Sequence, residues 1–410
     1  MSQLAKEVYA DDDERISEAA KKTGPSLAGL GLIALCALGL YYLLTTLPTG
    51  SGWMTYGELA EKAPTQLLYK LYWFLGDTNE AQFYKSALGG VAMIGFAALA
   101  WFLDTQKSRW AGFSIAYGSG IWPWVLASQT LGLIFSVFVF RFLEVLGTTD
   151  LGWVPTFVPF VSIPVAVLFV YGPSLATVFT GAVLGALLGF PIAYWVDIFL
   201  LVPWKLPLVV GNVTSMWLGG IITLEICRYL PWIKRVEPKA PESPAPKENL
   251  SSASWFVRRV LADFTEPQFY ANELASIGLL LGTIVSWFLT PESTVYGGKM
   301  LPALLAGQLL TSALGVYLYH KHWEEKGWYP TFVPIVSITP AVILAYGGTL
   351  QSILIGAILG ALIGPPLGDM VNRKLPEGWH PLIGNTFAMS LGIVIVMMIV
   401  NVLPGLGRPW

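Results

Sequence analysis

Two copies of one twelve-residue stretch decide the fold of this chain. The first is Gly152-Trp-Val-Pro-Thr-Phe-Val-Pro-Phe-Val-Ser-Ile163, and the second is Gly327-Trp-Tyr-Pro-Thr-Phe-Val-Pro-Ile-Val-Ser-Ile338. Ten of the twelve positions are identical, and the two copies are 175 residues apart. Self-similarity of this kind is the signature of an internal repeat. The sequence therefore predicts that one structural unit occurs twice.

The match continues on both sides of this stretch. Gly211-Asn212 returns downstream as Gly384-Asn385, and Gln82-Phe-Tyr is matched upstream by Gln268-Phe-Tyr. Short insertions absorb the differences in spacing. The chain is thereby divided into an N-terminal segment at 1–27, an extra helix at 28–47, a first repeat at 64–231, a Pro-rich linker at 232–252 and a second repeat at 253–404.

The composition is that of a membrane protein. The 410 residues are 54% hydrophobic and only 12% charged, whereas soluble domains carry roughly 25% charged residues. Long apolar segments recur, and roughly 20 apolar residues are enough to cross the hydrocarbon layer. Five such segments fall in each repeat and one precedes both. We therefore predict an all-α polytopic membrane protein with about eleven transmembrane helices, several of them broken by Pro or Gly.

Several classes of function find no support in the composition. The formal net charge is −2, and the 24 basic residues are spread over many loops, so no nucleic-acid partner is expected. The two cysteines lie in apolar segments, and the three histidines fall in predicted loops without the spacing of metal ligands. We therefore expect no metal, no cofactor and no catalytic residues, and we do not predict an enzyme.

The distribution of basic residues predicts the orientation of the two repeats. An odd number of crossings in each repeat, with none in the linker, inserts the second repeat upside down. If the N-terminus is cytoplasmic, 17 of the 24 lysines and arginines lie on the cytoplasmic side, as the positive-inside rule requires. We therefore predict two inverted repeats in the cell membrane, with the C-terminus on the opposite side. The alternative is that segments 154–172 and 330–346 re-enter instead of spanning, which makes the repeats parallel.

Prolines interrupt one segment in each repeat, and polar residues lie beside them. A proline inside a helix frees a backbone carbonyl, which at membrane depth needs a partner. That partner is either a neighbouring side chain or a solute held between the repeats. The candidate substrate-binding residues at these breaks are Thr156, Ser162, Thr331 and Ser337.

Two asparagines and one glutamate complete the set of candidates. Asn212 and Asn385 each follow a glycine at the start of an apolar segment, where an asparagine caps a helix or binds a polar ligand. Glu225 lies within an apolar segment and is the candidate for coupling to a proton or cation. Its alternative role is to pair with Arg228.

Taken together, these features favour a transporter or channel for a small neutral, weakly polar or amphiphilic solute, with its pathway at the interface of the two repeats. The alternatives are a flippase for a lipid or polyprenyl carrier and a scaffold subunit of a membrane complex; an embedded enzyme fits less well. The expected partners are a solute or lipid and the surrounding membrane lipids. Whether the chain forms a homo-oligomer stays open.

Overall fold

A computed structural model describes residues 24–149, 151–236 and 248–403. Most of the predicted N-terminal segment 1–27, much of the linker 232–252 and the C-terminal residues whose side of the membrane was predicted lie outside the described residues. Within the described ranges all regular secondary structure is helical, and there is no β-strand. The prediction of an all-α protein is confirmed to that extent.

The first repeat follows the extra helix α1 (Leu27–Thr46) and a short helix α2 (Tyr56–Lys62). Its helices are α3 (Leu67–Asp77), α4 (Ala87–Thr105), α5 (Trp122–Ile134), α6 (Ile163–Tyr171), α7 (Leu175–Val196) and α8 (Val209–Cys227). A π-helical turn extends α5 to Val139, and a second π-helical turn, Asp197–Leu201, extends α7 towards Trp204.

The second repeat presents the same order of elements. Its helices are α9 (Ala253–Asp263), α10 (Glu273–Leu289), α11 (Leu301–Leu318), α12 (His320–Lys326), α13 (Ile338–Tyr346), α14 (Leu350–Asn372) and α15 (Pro381–Val402). The helix α12 replaces the 3₁₀ segment Phe142–Thr148 of the first repeat, and the π-helical turn Asp197–Leu201 has no counterpart among the described elements of the second.

Eight helices of the described residues are long and apolar enough to cross a membrane, namely α1, α4, α5, α7, α8, α11, α14 and α15. Many of their large apolar side chains are exposed on the outer surface, for example Leu175 and Leu350 at the starts of α7 and α14. Such surface is favourable in lipid and costly in water. The chain is therefore a helical membrane protein. Three further apolar helical stretches are shorter: Val158–Tyr171, Glu273–Leu289 and Val333–Tyr346.

Matched side chains begin matched helices. The side chains of Ser86 and Asn272 accept backbone N–H groups from the first turns of α4 and α10. Ser174 and Thr349 do the same for α7 and α14. Each side chain satisfies an amide that a helix start leaves without an intrahelical partner. The two repeats thus place their helix starts by the same chemistry.

The prolines of the twelve-residue stretches interrupt regular helix. Each stretch forms a 3₁₀ turn, Val158–Val161 or Val333–Val336, and a helix of nine residues follows, α6 or α13. Nine helical residues rise about 14 Å, less than half of the roughly 30 Å of hydrocarbon. Neither short helix is long enough to span the membrane by itself.

Glycines on the following helix let these interrupted segments pack closely. A Cβ atom at Gly185 would lie 2.7 Å from the ring of Pro164, and one at Gly364 would lie 2.9 Å from the ring of Pro334. Real Cβ atoms do not approach so closely, so only glycine fits at either position. The glycine series of α7 and α14 therefore serves helix packing, and it holds the twelve-residue stretches inside the protein.

Two pairs of equivalent helices pack with opposite chain directions. Ser86, before α4, bonds Ser286 near the end of α10 at 2.7 Å, whereas a Cβ at Gly278, early in α10, would lie 2.6 Å from the carbonyl oxygen of Ala92. In the same way, Thr214 early in α8 bonds Ser390 in the middle of α15 at 3.2 Å, whereas a Cβ at Gly220, later in α8, would lie 3.3 Å from Ile383 near the start of α15. Each helix therefore runs antiparallel to its equivalent in the other repeat.

Candidate functional site

A cavity of about 250 Å³ lies between the two repeats. Its walls are mostly aromatic and aliphatic, and the turns after α3 and α9, the twelve-residue stretches and the starts of α8 and α15 all contribute to them. Most of the lining residues come in equivalent pairs: Glu80 with Glu266, Phe83 with Phe269, Tyr117 with Tyr296, Phe157 with Phe332, Val161 with Val336, Asn212 with Asn385 and Met216 with Met389. The cavity therefore lies where equivalent surfaces of the repeats face each other.

One wall rests on a buried cluster from the first repeat, which we call the lysine cluster: Asp77, Glu80, Lys85, Trp153 and Thr156. The Lys85 ammonium is paired with Asp77 and, at 2.5 Å, with Glu80. Trp153 donates its indole N–H to Glu80, and Thr156 donates its hydroxyl to Asp77 at 2.8 Å. Both carboxylates thus have two partners each, as buried charges require.

The opposite wall rests on the equivalent cluster of the second repeat, the arginine cluster: Arg259, Asp263, Glu266, Trp328 and Thr331. The Arg259 guanidinium is paired with Asp263 at 2.6 Å and with Glu266. Trp328 donates to Glu266 at 2.5 Å, and Thr331 donates to Asp263 at 3.1 Å. The acids, the tryptophan and the threonine occupy matched positions in both clusters, but the cation does not.

The two cations come from sequence positions that do not match each other. The position that matches Arg259 carries Trp73 in the first repeat, and the position that matches Lys85 carries Ala271 in the second. The Lys85 ammonium lies 3.8 Å from the ring centre of Trp73, so the tryptophan of the first repeat fills the space of the arginine of the second. Each cluster therefore keeps two acids and one cation.

The turns that carry the acids have strained backbones at matched positions. Phe83 and Lys85 adopt φ angles of 68° and 52°, and their equivalents Phe269 and Ala271 adopt 62° and 48°. Bulky residues with positive φ are uncommon, and they persist where the surrounding contacts fix the backbone. The fold holds both turns in one special conformation, which aims Phe83 and Phe269 into the cavity.

A set of buried glutamines and tyrosines, the glutamine cluster, joins the two turns. Gln82 donates to the side-chain oxygen of Gln268 at 2.7 Å, and Gln268 donates back to Gln82 at 2.8 Å. Each also donates to a carbonyl of the other repeat. Around them, two further matched bonds cross between the repeats: Tyr84 to Gln308 at 2.7 Å and Tyr270 to Gln129 at 3.1 Å.

The structure places the residues predicted from the sequence in three different settings. Asn212 and Asn385 line the cavity. Thr156 and Thr331 lie behind its walls and bond the buried aspartates. Ser162 and Ser337 lie away from it: each donates its hydroxyl to a carbonyl four residues earlier, at 2.5 and 2.6 Å, and so occupies an acceptor freed by the proline break. The freed groups are thus satisfied by neighbouring side chains there.

Glu225 is not among the residues that line the cavity. Its side chain is 38% exposed and pairs with Arg228 at 2.9 Å, and Trp379 donates to its other oxygen at 3.2 Å. This is the alternative arrangement that the sequence allowed. The role of Glu225 in coupling stays a prediction, and the geometry gives it a surface ion pair.

His380 contributes a neutral ring to the cavity. Its Nδ1 accepts the backbone N–H of Leu382 at 3.1 Å, and its ring stacks on Phe169 with centres 5.5 Å apart. Burial lowers the pKa of His380 to about 4, because water cannot stabilise the charged ring. Among the described residues, no group of three or more His, Cys, Asp or Glu side chains is placed to hold a metal ion.

The sequence reasoning missed the four acids of the two clusters. The match of Gln82-Phe-Tyr with Gln268-Phe-Tyr extends five residues upstream, giving Asp77-x-x-Glu-x-Gln-Phe-Tyr84 and Asp263-x-x-Glu-x-Gln-Phe-Tyr270. All four acids lie outside the long apolar segments, where burial of a charged side chain is not expected. Their duplication was the signal that could have found them, because a solvated loop has no reason to keep the same acids in both repeats.

No protein-family model matches this chain, and no curated protein matches it. The paired walls of the cavity are therefore the strongest observation about what the protein does.

Proposed function

We propose that this protein is a membrane transporter that carries a small neutral, weakly polar or amphiphilic solute through a pathway between two inverted repeats. The observation that carries the proposal is the cavity with equivalent residues on its facing walls. A site on the axis between two inverted units presents similar walls to either side of the membrane, which is the geometry of alternating access.

The antiparallel packing of α4 on α10 and of α8 on α15 supports the inverted arrangement. Equivalent helices of parallel repeats would instead run in the same direction through the membrane. Eleven membrane segments follow if the three shorter apolar stretches are counted with the eight long helices, and the inverted arrangement then requires α6 and α13 to cross the membrane together with the residues that precede them. The interrupted helices α6 and α13 are then the Pro/Gly-broken elements that border the pathway.

The walls of the cavity favour a solute with a large apolar surface and few polar groups. Most of the lining is aromatic or aliphatic, and the two asparagines offer hydrogen bonds. Glu80 and Glu266 face the cavity, but both oxygens of each are already engaged by a cation and an indole. An apolar pocket with a few placed polar groups is typical of a small-molecule site. No step of bond-breaking chemistry is assigned to it.

The test is ligand binding to the purified protein, followed by transport. A panel of small neutral and amphiphilic solutes, organic cations and lipids is screened by thermal unfolding in detergent, since a ligand that binds the folded state raises its stability. A neutral hit is then followed in proteoliposomes as uptake of the labelled solute. We expect both responses to be lost in Met216→Trp and in Met389→Trp, which fill the cavity from its two equivalent sides.

Met398→Trp is the matched control, because Met398 lies on α15 with 67% of its surface exposed, away from the cavity. It should leave binding and uptake unchanged. A response limited to lipids would support the flippase alternative. A response limited to organic cations would mean that the substrate is a cation and not a neutral solute. If every hit survived both cavity-filling variants, the cavity would not be the binding site.

A further inference from the structure

Asp197 carries a buried carboxyl group that no donor of the described residues reaches. It begins the π-helical turn at the end of α7 and is 1% exposed, yet within residues 24–149, 151–236 and 248–403 neither of its oxygens has a hydrogen-bond partner. The side-chain oxygen of Asn212, which is 6% exposed, also lacks a partner in that part of the chain. Acceptors buried without donors are costly. The two residues are neighbours in the fold, because Asp197 packs against Gly211, the residue before Asn212.

The second repeat has a hydrogen-bond donor at the matched place. Asn372 occupies the position of Asp197, and its side-chain N–H donates to the oxygen of Asn385 at 2.7 Å. The contact with glycine is also the same: a Cβ at Gly211 would collide with Asp197 Oδ1, as a Cβ at Gly384 would collide with Asn372 Oδ1. Oδ2 of Asp197 therefore corresponds to Nδ2 of Asn372.

This correspondence leaves an acceptor facing an acceptor in the first repeat. Asn372 has a hydrogen to donate to Asn385, whereas an ionised Asp197 has none to donate to Asn212. One proton on Oδ2 supplies the missing donor and removes the buried charge. We propose that Asp197 and Asn212 form a proton-binding site, in which the protonated carboxyl donates to Asn212 as the amide of Asn372 donates to Asn385.

No charged group offers a competing way to stabilise the carboxylate. The element packed on this π-helical turn is α8, and among the described residues no cation of α8, of the turn itself or of any other element forms an ion pair or shows an electrostatic interaction with Asp197. Lys205, eight residues along the chain, is exposed to the surroundings.

The proposed site adjoins the cavity through Asn212, which lines the cavity wall and directly follows the glycine that Asp197 contacts. Loss of the proton would leave a carboxylate with one negative charge beside Asn212 and favour rotation of the Asn212 amide so that its N–H donates to Asp197. The oxygen of Asn212 would then turn towards the cavity. This coupling of proton binding to solute binding rests on the proposed transport function, whereas the proton site itself does not.

The experiment measures the proton directly, without a solute. Infrared difference spectra of the purified protein at pH 7 compare the wild type with Asp197→Asn, a substitution that copies the second repeat. We expect the wild type to show the carbonyl band of a protonated carboxylic acid and the variant to lack it. Glu225→Gln is the control: it removes a carboxylate paired with Arg228, so only ionised carboxylate bands should disappear.

Thermal unfolding at a series of pH values provides a second readout. A fold that holds one proton more than the unfolded chain loses stability as the pH rises, by up to tenfold in the ratio of folded to unfolded protein for each pH unit. We expect this slope in the wild type relative to Asp197→Asn, and we expect Asn372→Asp to acquire it. Equal spectra and equal slopes for the wild type and Asp197→Asn would overturn the proposal.

A metal cation at the same place would give a different result. The acid band would be absent, and replacing choline with sodium would stabilise the wild type but not Asp197→Asn. That outcome also overturns the proton site. Failure of the solute screen, in contrast, would leave the acid band unaffected, so the transport proposal and the proton proposal can fail independently.

Discussion

The lysine cluster and the arginine cluster solve one problem with two different sequences. Each buries an aspartate and a glutamate at matched positions, and each supplies a single cation. The cation comes from Lys85, after the acids, in one repeat and from Arg259, before them, in the other. The tryptophan at the vacated position, Trp73, covers the ammonium of Lys85. Both repeats therefore have two acids and one cation in the cluster, but the cation comes from a different sequence position in each.

The largest expected effect is the loss of one cation. Lys85→Met should destabilise the fold by about 3–5 kcal/mol, since it leaves two carboxylates buried without their counter-charge. Thermal or denaturant unfolding of the purified protein measures the loss. The control is Lys62→Met, which removes a solvated partner of Glu58 and should change stability little. Equal effects of the two variants would mean that the buried ammonium does not stabilise the cluster.

A double variant of the lysine cluster that copies the arginine cluster tests whether the two arrangements are equivalent. Trp73→Arg combined with Lys85→Ala places the cation where the arginine cluster has it. We expect this double variant to be more stable than Lys85→Ala alone, because the acids regain a counter-charge from the equivalent position. Unfolding measurements on both variants decide it. If the added arginine gives no recovery, the two clusters are not interchangeable and the lysine position has a role of its own.

The central glutamines should respond alike, because their bonds are reciprocal. Gln82→Leu and Gln268→Leu each remove two donated bonds and leave a partner oxygen unsatisfied, so each should cost about 1–3 kcal/mol. The double variant should cost less than the sum of the two, since both members of the mutual pair are then absent. Unfolding of the three variants tests this. Unequal losses of stability in the two single variants would show that the two glutamines contribute unequally to the contact between the repeats.

The smallest expected effect is at the two serines beside the proline breaks. Ser162→Ala and Ser337→Ala each remove one hydroxyl that bonds a carbonyl four residues earlier. Each should cost less than about 1.5 kcal/mol, the usual net value of a single hydrogen bond. Solute binding should stay unchanged in both variants. A variant that loses binding while keeping its stability would restore the serines as candidate ligands.

The repeat and the helical membrane architecture were predictable because apolar length and self-similarity are local properties of the sequence. The placement of Asn212 and Asn385 on the cavity wall was also within reach, since both lie at matched starts of helices. The acid clusters were not predicted, because each is completed by hydrogen bonds between residues that are far apart in sequence, such as Asp77 and Thr156. Asp197 was missed for a related reason: only the bond between its counterpart Asn372 and Asn385 reveals that it lacks a donor.

The crossed glutamine cluster has a consequence for how the protein is made. The first repeat leaves the ribosome with Gln82, Gln129 and Tyr84 in place, but their partners Gln268, Tyr270 and Gln308 belong to a repeat that has not yet been synthesised. Until it arrives, these amides and hydroxyls have to be held by water or by the insertion machinery. The two halves therefore complete each other during biogenesis, and the native state of either one begins only when the other has been inserted.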